Sequence, residues 1–352
     1  MAADAASDAD LAVDSATARQ RFLAAAADAG ARCDSHTLAG RAGPAPAVDV
    51  ARLGDGQADR VLLLVSGTGG IEGFAGSALQ TAWLRRRGAA LPAGCRVLLV
   101  HGLNAQGFQA LRRVDADNVD LDRNFLDFAV PLPDNPGYEE LAATLAPHEW
   151  DELGERINRR VWADFIARHG ERAFLDGVYY GGRAPAPAHV LLRDLLRREL
   201  ANCRRLLLID LRTGPGLVGE AELICRDAPD GAAFTRARDW FGPPLHSPQR
   251  GDTLAPVATG TLLAAVGGWL PQAEVTAVAL RFGTGPEDKV FAAVRADNWL
   301  MHHGDPTTPR GLAIKAQLRD AFAPDSADWR RAVLDRGSAV IERGLRGLGG
   351  RV

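Results

Sequence analysis

Lysine is almost missing from this chain: all but two of its 41 basic residues are arginine, the exceptions being Lys289 and Lys315. Basic residues are also outnumbered by 44 acidic ones, for a formal charge of −3, so no cationic footprint for nucleic acid is present. Cysteine is scarce too. Cys33, Cys95, Cys203 and Cys225 stand far apart with no C-x-x-C pair, which excludes a zinc knuckle and a redox motif of that spacing. No run reaches the ~18 apolar residues of a membrane span. The first ten residues are acidic and carry no apolar stretch of the kind a secretory signal needs. The expectations are therefore reduced thiols, a cytoplasmic location, and neither membrane nor nucleic acid as partner.

What is present is the patterning of a globular α/β chain. Ser15 to Ala29 has apolar residues at helical spacing and ends at Gly30, after an acidic stretch over 1–14 that is expected to be disordered. Arg60-Val-Leu-Leu-Leu-Val-Ser66, Arg96-Val-Leu-Leu-Val-His101 and Arg204-Arg-Leu-Leu-Leu-Ile-Asp210 are short continuous apolar runs. Such runs, bounded by turn residues, are what strands covered on both faces require. Helical patterns at Glu72 to Arg87, Trp150 to His169 and His189 to Leu200 separate them. Strands alternating with helix-sized segments imply crossover connections and a mostly parallel sheet flanked by helices. With 352 residues and no long linker, one domain over residues 15–348 is the simplest organisation. Ligand sites in such sheets lie beyond the carboxyl ends of the strands.

Three strand ends carry unusual residues: Ser66-Gly-Thr-Gly-Gly-Ile-Glu72-Gly-Phe, Asp210-Leu-Arg212-Thr-Gly, and Ala279-Leu-Arg281-Phe-Gly-Thr. Between the first two lie Asn104-Ala-Gln-Gly-Phe108 and the stretch from Arg112-Arg113 through Asn118-Val-Asp-Leu-Asp122-Arg123-Asn124-Phe125. In this order, and with Arg295-Ala-Asp-Asn-Trp-Leu-Met-His-His-Gly304 near the end, they resemble the zinc-carboxypeptidase superfamily, specifically a bacterial branch of it. There the corresponding segments read Ser-Gly-Thr-His-Gly-Val-Glu-Gly, Asn-Val-Asp-Leu-Asn-Arg-Asn-Phe, Asp-Leu-His-Thr-Gly and Glu-Phe-Gly-Thr. The resemblance implies a single three-layer α/β/α domain with a mixed, mostly parallel central sheet. It also implies a family site in which two His and a Glu bind zinc, the zinc activates water, and a second Glu shuttles the proton.

The chain departs from that pattern at the chemistry. The first zinc His position is Gly69, the second is Arg212, and the catalytic Glu is Arg281; of the ligand set only Glu72 is kept. Glycine has no donor atom and a guanidinium has no lone pair for a metal. The resemblance thus leaves no intact catalytic group and makes a zinc cofactor unexpected. The substrate side is better preserved. Arg123 and Asn124 match the family's carboxylate-binding pair, Arg112 or Arg113 lies where it keeps a carbonyl-polarising Arg, and Asp122 replaces an Asn. Glu72 facing Arg212 and Arg281 sums to about +1, where the family's dication and two Glu sum to about zero, so arginine stands in for the metal. The expectation is that Glu72 pairs with Arg212, Arg281 or both. Arg112, Arg113, Arg123, Asn124, Arg212 and Arg281 would then frame a pocket for a small carboxylate or a peptide C-terminus, without hydrolysis.

Plainer readings stand beside these. Glu72 could simply cap backbone amides at a helix start, Arg212 and Arg281 could be structural ion pairs left after loss of activity, and Arg123 could pair with Asp120 or Asp122. A rearranged metal-dependent peptidase or amide hydrolase would need histidines from elsewhere, His101 or His302-His303. The glycines from 67 to 73 imitate a phosphate cradle, but the G-x-G-x-x-G spacing fails and no P-loop or G-x-S-x-G run exists.

Overall fold

The computed structural model describes residues 11–38, 45–87, 91–150 and 174–350. These contain the strands β1 (Arg32–Thr37), β2 (Ala47–Gly54), β3 (Arg60–Ser66), β4 (Cys95–His101), β5 (Arg205–Gly214), β6 (Ala221–Cys225), β7 (Leu245–His246) and β8 (Glu274–Gly283). The helices are α1 (Ser15–Asp28), α2 (Gly73–Arg87), α3 (Ala105–Gln109), α4 (Pro136–Leu145), α5 (Pro187–Glu199), α6 (Ala232–Phe241), α7 (Leu262–Trp269), α8 (Glu287–His303), α9 (Pro309–Phe322) and α10 (Ala327–Leu348). Of the helical pattern read from Trp150 to His169, residues 151–169 lie outside the described residues, as do residues 1–10 of the expected disordered start. Leu11 to Asp14 do not fray: Ala12 is buried, Arg319 donates to the carbonyls of Ala12 and Val13, and the Asp14 carboxylate caps α1. No described helix is long and apolar enough to cross a membrane.

The eight strands form one sheet in the order β1-β2-β4-β3-β5-β8-β6-β7. The pairs β4–β3, β3–β5, β5–β8 and β6–β7 are parallel, whereas β1–β2, β2–β4 and β8–β6 are antiparallel. The sheet is mixed with a parallel centre, as expected. Period-two alternation sends successive side chains of the central strands to opposite faces. Leu62 and Leu64 of β3 and Leu207 and Ile209 of β5 meet α1, α2, α6 and α10 through Phe22, Trp83, Phe241 and Ile341. Val61, Leu63, Leu206 and Leu208 meet α5 and α7 through Leu192, Leu196, Leu262 and Val266. The result is a three-layer α/β/α domain. Truncating one of these fully buried leucines to alanine costs about 2–5 kcal/mol in comparable cores.

Helix α10 comes closest to the sheet where its buried face carries glycine. A Cβ added at Gly344 would come within 2.6 Å of the Leu207 side chain, so any larger residue would lift the helix off β5.

The chain leaves β3 for β4 on one side and reaches β5 on the other, so the strand order reverses at β3. At such a reversal the loops beyond neighbouring carboxyl ends diverge and leave a crevice. The turn after β3, the end of β5 and the end of β8 all open into it.

Candidate functional site: an arginine-filled carboxylate centre

Glu72 closes a 3-10 turn (Gly70–Glu72) that follows β3 and leads directly into α2. Gly70 makes this turn possible: its φ is +50°, and a Cβ there would sit 2.1 Å from the Arg112 carbonyl, which accepts from Ile71 N–H at 2.9 Å. The Glu72 side chain is completely buried. Arg212 Nε donates to Oε2 at 2.7 Å and its second terminal nitrogen to Oε1 at 3.3 Å; the Thr213 backbone N–H donates to Oε2 at 3.1 Å. Arg113 Nη1 donates to Oε1 at 2.5 Å. Four donors therefore saturate one carboxylate.

The expected pairing with Arg212 is present, but Arg281 is not a partner of Glu72. Arg281 lies opposite Glu222 in the antiparallel β6–β8 register and binds that carboxylate with Nε at 3.0 Å and with a second nitrogen, which also reaches the Thr253 hydroxyl. The second guanidinium at Glu72 is Arg113 instead. Of the adjacent pair, Arg112 turns the other way and donates to Asp297 at 3.1 Å, outside the cleft. Asn124 also takes no part in the cleft lining: its amide donates to the carbonyls of Gly181 and Ala184 and accepts from Ala186 N–H at 2.8 Å, fixing the 181–186 loop. Both residues are spent on structure, Asn124 on loop backbone and Arg112 on Asp297. Arg123 does line the cleft, with its guanidinium 5.8 Å from the Tyr179 ring centroid; Arg113 lies 5.7 Å from the same ring.

Arg212 gathers more than Glu72. Asp210 Oδ2 lies 3.1 Å and Asp122 Oδ2 3.2 Å from Nη1, so three carboxylates surround one guanidinium. Burial works against its charge, but Glu72, Asp122 and Asp210 outweigh that and raise its pKa further above the usual range. Arg113 shows the same balance with Asp120, 3.4 Å away, and Glu72. Burial pushes Asp210 up to about 6, against the pull of Arg212. Asp122 is held below the usual carboxylate range because Arg212, Arg226 and Arg123 outweigh its burial. Glu72, Asp120, Asp122 and Asp210 thus face Arg113, Arg123, Arg212 and Arg226, four carboxylates against four guanidiniums.

This donor set does not fit a zinc ion. The only ligating side chain of the family pattern, Glu72, already has both oxygens bound by guanidinium. Its carboxylate also leaves no room for a side chain at position 69: a Cβ on Gly69 would lie 2.2 Å from Glu72 Oε1. Among the described residues no cluster of three His, Cys, Asp or Glu is placed to hold a metal. His101 is buried beside Ser77 (Nε2 to Oγ 2.8 Å) and stacked on Phe22, and His302 and His303 close α8 outside the cleft lining.

Over this centre opens a cleft of about 250 Å³. Its polar lining includes Glu72, Arg113, Asp122, Arg123, Arg212 and Arg281, and its apolar walls include Ile224, Leu254, Pro256, Leu263 and Phe291. Sequence reasoning missed Glu222, Tyr179 and Arg226. The alternation Glu222-x-Ile224-x-Arg226 would have placed all three side chains of that strand on one face, had β6 been recognised. Tyr179 carries a φ of +61°, an uncommon conformation for an aromatic residue, beside the two arginines it covers.

The family model for DUF2817, described as a protein of unknown function, matches residues 12–336. No curated protein matches the chain. Among solved structures the chain is similar to bovine thrombin-activatable fibrinolysis inhibitor in complex with tick carboxypeptidase inhibitor. That match has 10% identity and a TM-score of 0.49, covering 94% of this chain and 98% of the other. It is also similar to the succinylglutamate desuccinylase of Chromobacterium violaceum, at 17% identity and a TM-score of 0.39, covering 87% of this chain and 77% of that one.

Proposed function

Starting from the premise that this chain belongs to the DUF2817 family, we propose that it is a catalytically inactive, zinc-carboxypeptidase-like protein that binds a carboxylate-bearing ligand without hydrolysing it. The observation that carries this reading is the saturation of Glu72 by Arg212, Arg113 and the Thr213 amide. In the family pattern that carboxylate holds a metal; here a guanidinium, permanently charged and unable to accept a lone pair, supplies the compensating positive charge. The second point of chemistry is lost as well. Arg281, at the proton-shuttle position, cannot act as a base and is tied to Glu222.

The cleft is retained although the catalytic set is not. Charged groups on its floor and apolar walls above them suit a small acid or a peptide C-terminus, whose carboxylate would meet guanidinium donors and whose body would cover the walls. The cytoplasm is the proposed location, with no nucleic acid partner. The test is to incubate the protein with N-acylated peptides ending in a free carboxylate and to follow both binding by calorimetry and cleavage by mass spectrometry. Binding that depends on the free carboxylate, with the peptide recovered intact, supports the proposal; turnover abolished by a chelator would refute it.

A further inference from the structure

Three of the arginines expected to frame the pocket are already committed in this chain. Arg212 and Arg113 bind Glu72, and Arg281 binds Glu222. A guanidinium with all its nearby carboxylates in hand offers an incoming anion little. Arg226 is different. It stands one residue past β6, on the same face as Glu222 and Ile224, and it lines the cleft. Its guanidinium donates to the Pro256 carbonyl at 2.7 Å, and among the described residues no ion pair includes it. Its surroundings are rich in like charge: burial first, then Arg123, Arg212 and Arg281, pull its pKa down to about 10, with Asp122 opposing. An anion placed beside it would relieve both effects.

Next to Arg226 the walls are apolar, formed by Ile224, Leu254, Pro256 and Leu263, and Leu254 is half exposed.

We infer that the cleft takes a monocarboxylate with an apolar side group, whose carboxylate is held by Arg226 instead of by Arg113, Arg212 or Arg281. This rests on the proposed carboxylate-binding function and specifies its anchor and its ligand class.

The test is calorimetry with N-acetyl-L-phenylalanine and with its amide, on the wild type, Arg226→Gln and Arg226→Lys. The wild type is expected to bind the acid and not the amide. Arg226→Gln is expected to bind the acid about tenfold or more weakly, as loss of a charged hydrogen bond implies, and Arg226→Lys, which keeps the charge, to fall between the two. Acid binding by Arg226→Gln at wild-type affinity overturns the inference while leaving the proposed function standing. Failure of the wild type to bind the acid overturns both. Should Arg226→Gln not fold, a crystal structure of the wild type with the acid decides: a carboxylate held by a residue other than Arg226 overturns the assignment.

Discussion

Glu72 and Arg212 meet across the reversal of strand order, β3 turn to β5 end, through two parallel hydrogen bonds of 2.7 and 3.3 Å, with Glu72 fully buried and Arg212 nearly so. Removing either partner strands the other. Loss of one member of a buried pair costs about 3–5 kcal/mol. Here Arg113 would still compensate Glu72, and Asp122 and Asp210 would still compensate Arg212, which places each single change near the lower end. We predict that Glu72→Gln and Arg212→Gln each destabilise by roughly 3 kcal/mol, and that the double variant loses clearly less than their sum, with a coupling of about 1–3 kcal/mol. Urea unfolding of the four proteins measures this directly.

Gly69 is coupled to the same carboxylate. Gly69 has a φ of −96°, so alanine meets no backbone strain there; what it meets is Glu72 Oε1 at 2.2 Å from the new Cβ. Gly69→Ala is predicted to destabilise by about 1–3 kcal/mol by pushing the carboxylate off its guanidiniums. In a Glu72→Ala background the same substitution should be close to neutral. Equal penalties in the two backgrounds would show that the obstruction lies elsewhere.

Stability should also fall in mild acid because of a histidine remote from the cleft. Burial holds His101 neutral and drives its pKa down to about 4 from the ordinary 6.5, with Asp49 opposing; Asp49 is itself neutralised by Arg19 at 2.7 Å. The unfolded chain therefore binds this proton between pH 6.5 and 4 while the folded chain does not, so folding stability decreases as pH falls through that window. The full effect is about 3 kcal/mol. His101→Gln, which can keep a hydrogen bond to Ser77, should flatten this segment of the pH profile in urea titrations. A profile unchanged by the substitution would assign the acid sensitivity to other groups.

Restoring the family ligands tests how far the surroundings have drifted. Arg212→His removes the bidentate partner of Glu72, and Gly69→His both supplies a donor and displaces the carboxylate. The double variant is predicted to bind zinc at least about tenfold more tightly than either single variant, as a third ligand joining two implies. If it does not, Arg113, which holds Glu72 Oε1, is the next residue to change.

How much of this was legible in the sequence depended on burial. β3, β4 and the start of β5 are covered on both faces and so read as unbroken apolar runs. β1, Arg-Cys-Asp-Ser-His-Thr, is a largely exposed edge strand with no such signal. The presence of a pairing at Glu72 followed from charge alone, but its partners did not. Choosing Arg113 over Arg112 depends on a loop conformation, and Arg281 found Glu222 through an antiparallel register that no local pattern encodes. Asn124 matched a motif yet spends its amide on backbone, which a motif cannot distinguish from ligand binding.

The measurement that tests the central claim most directly is zinc per chain after saturation with zinc and exhaustive dialysis of the wild-type protein. With both oxygens of Glu72 bound by guanidinium, the account predicts far less than one zinc per chain. One tightly held zinc per chain, lost in Glu72→Gln, would contradict it.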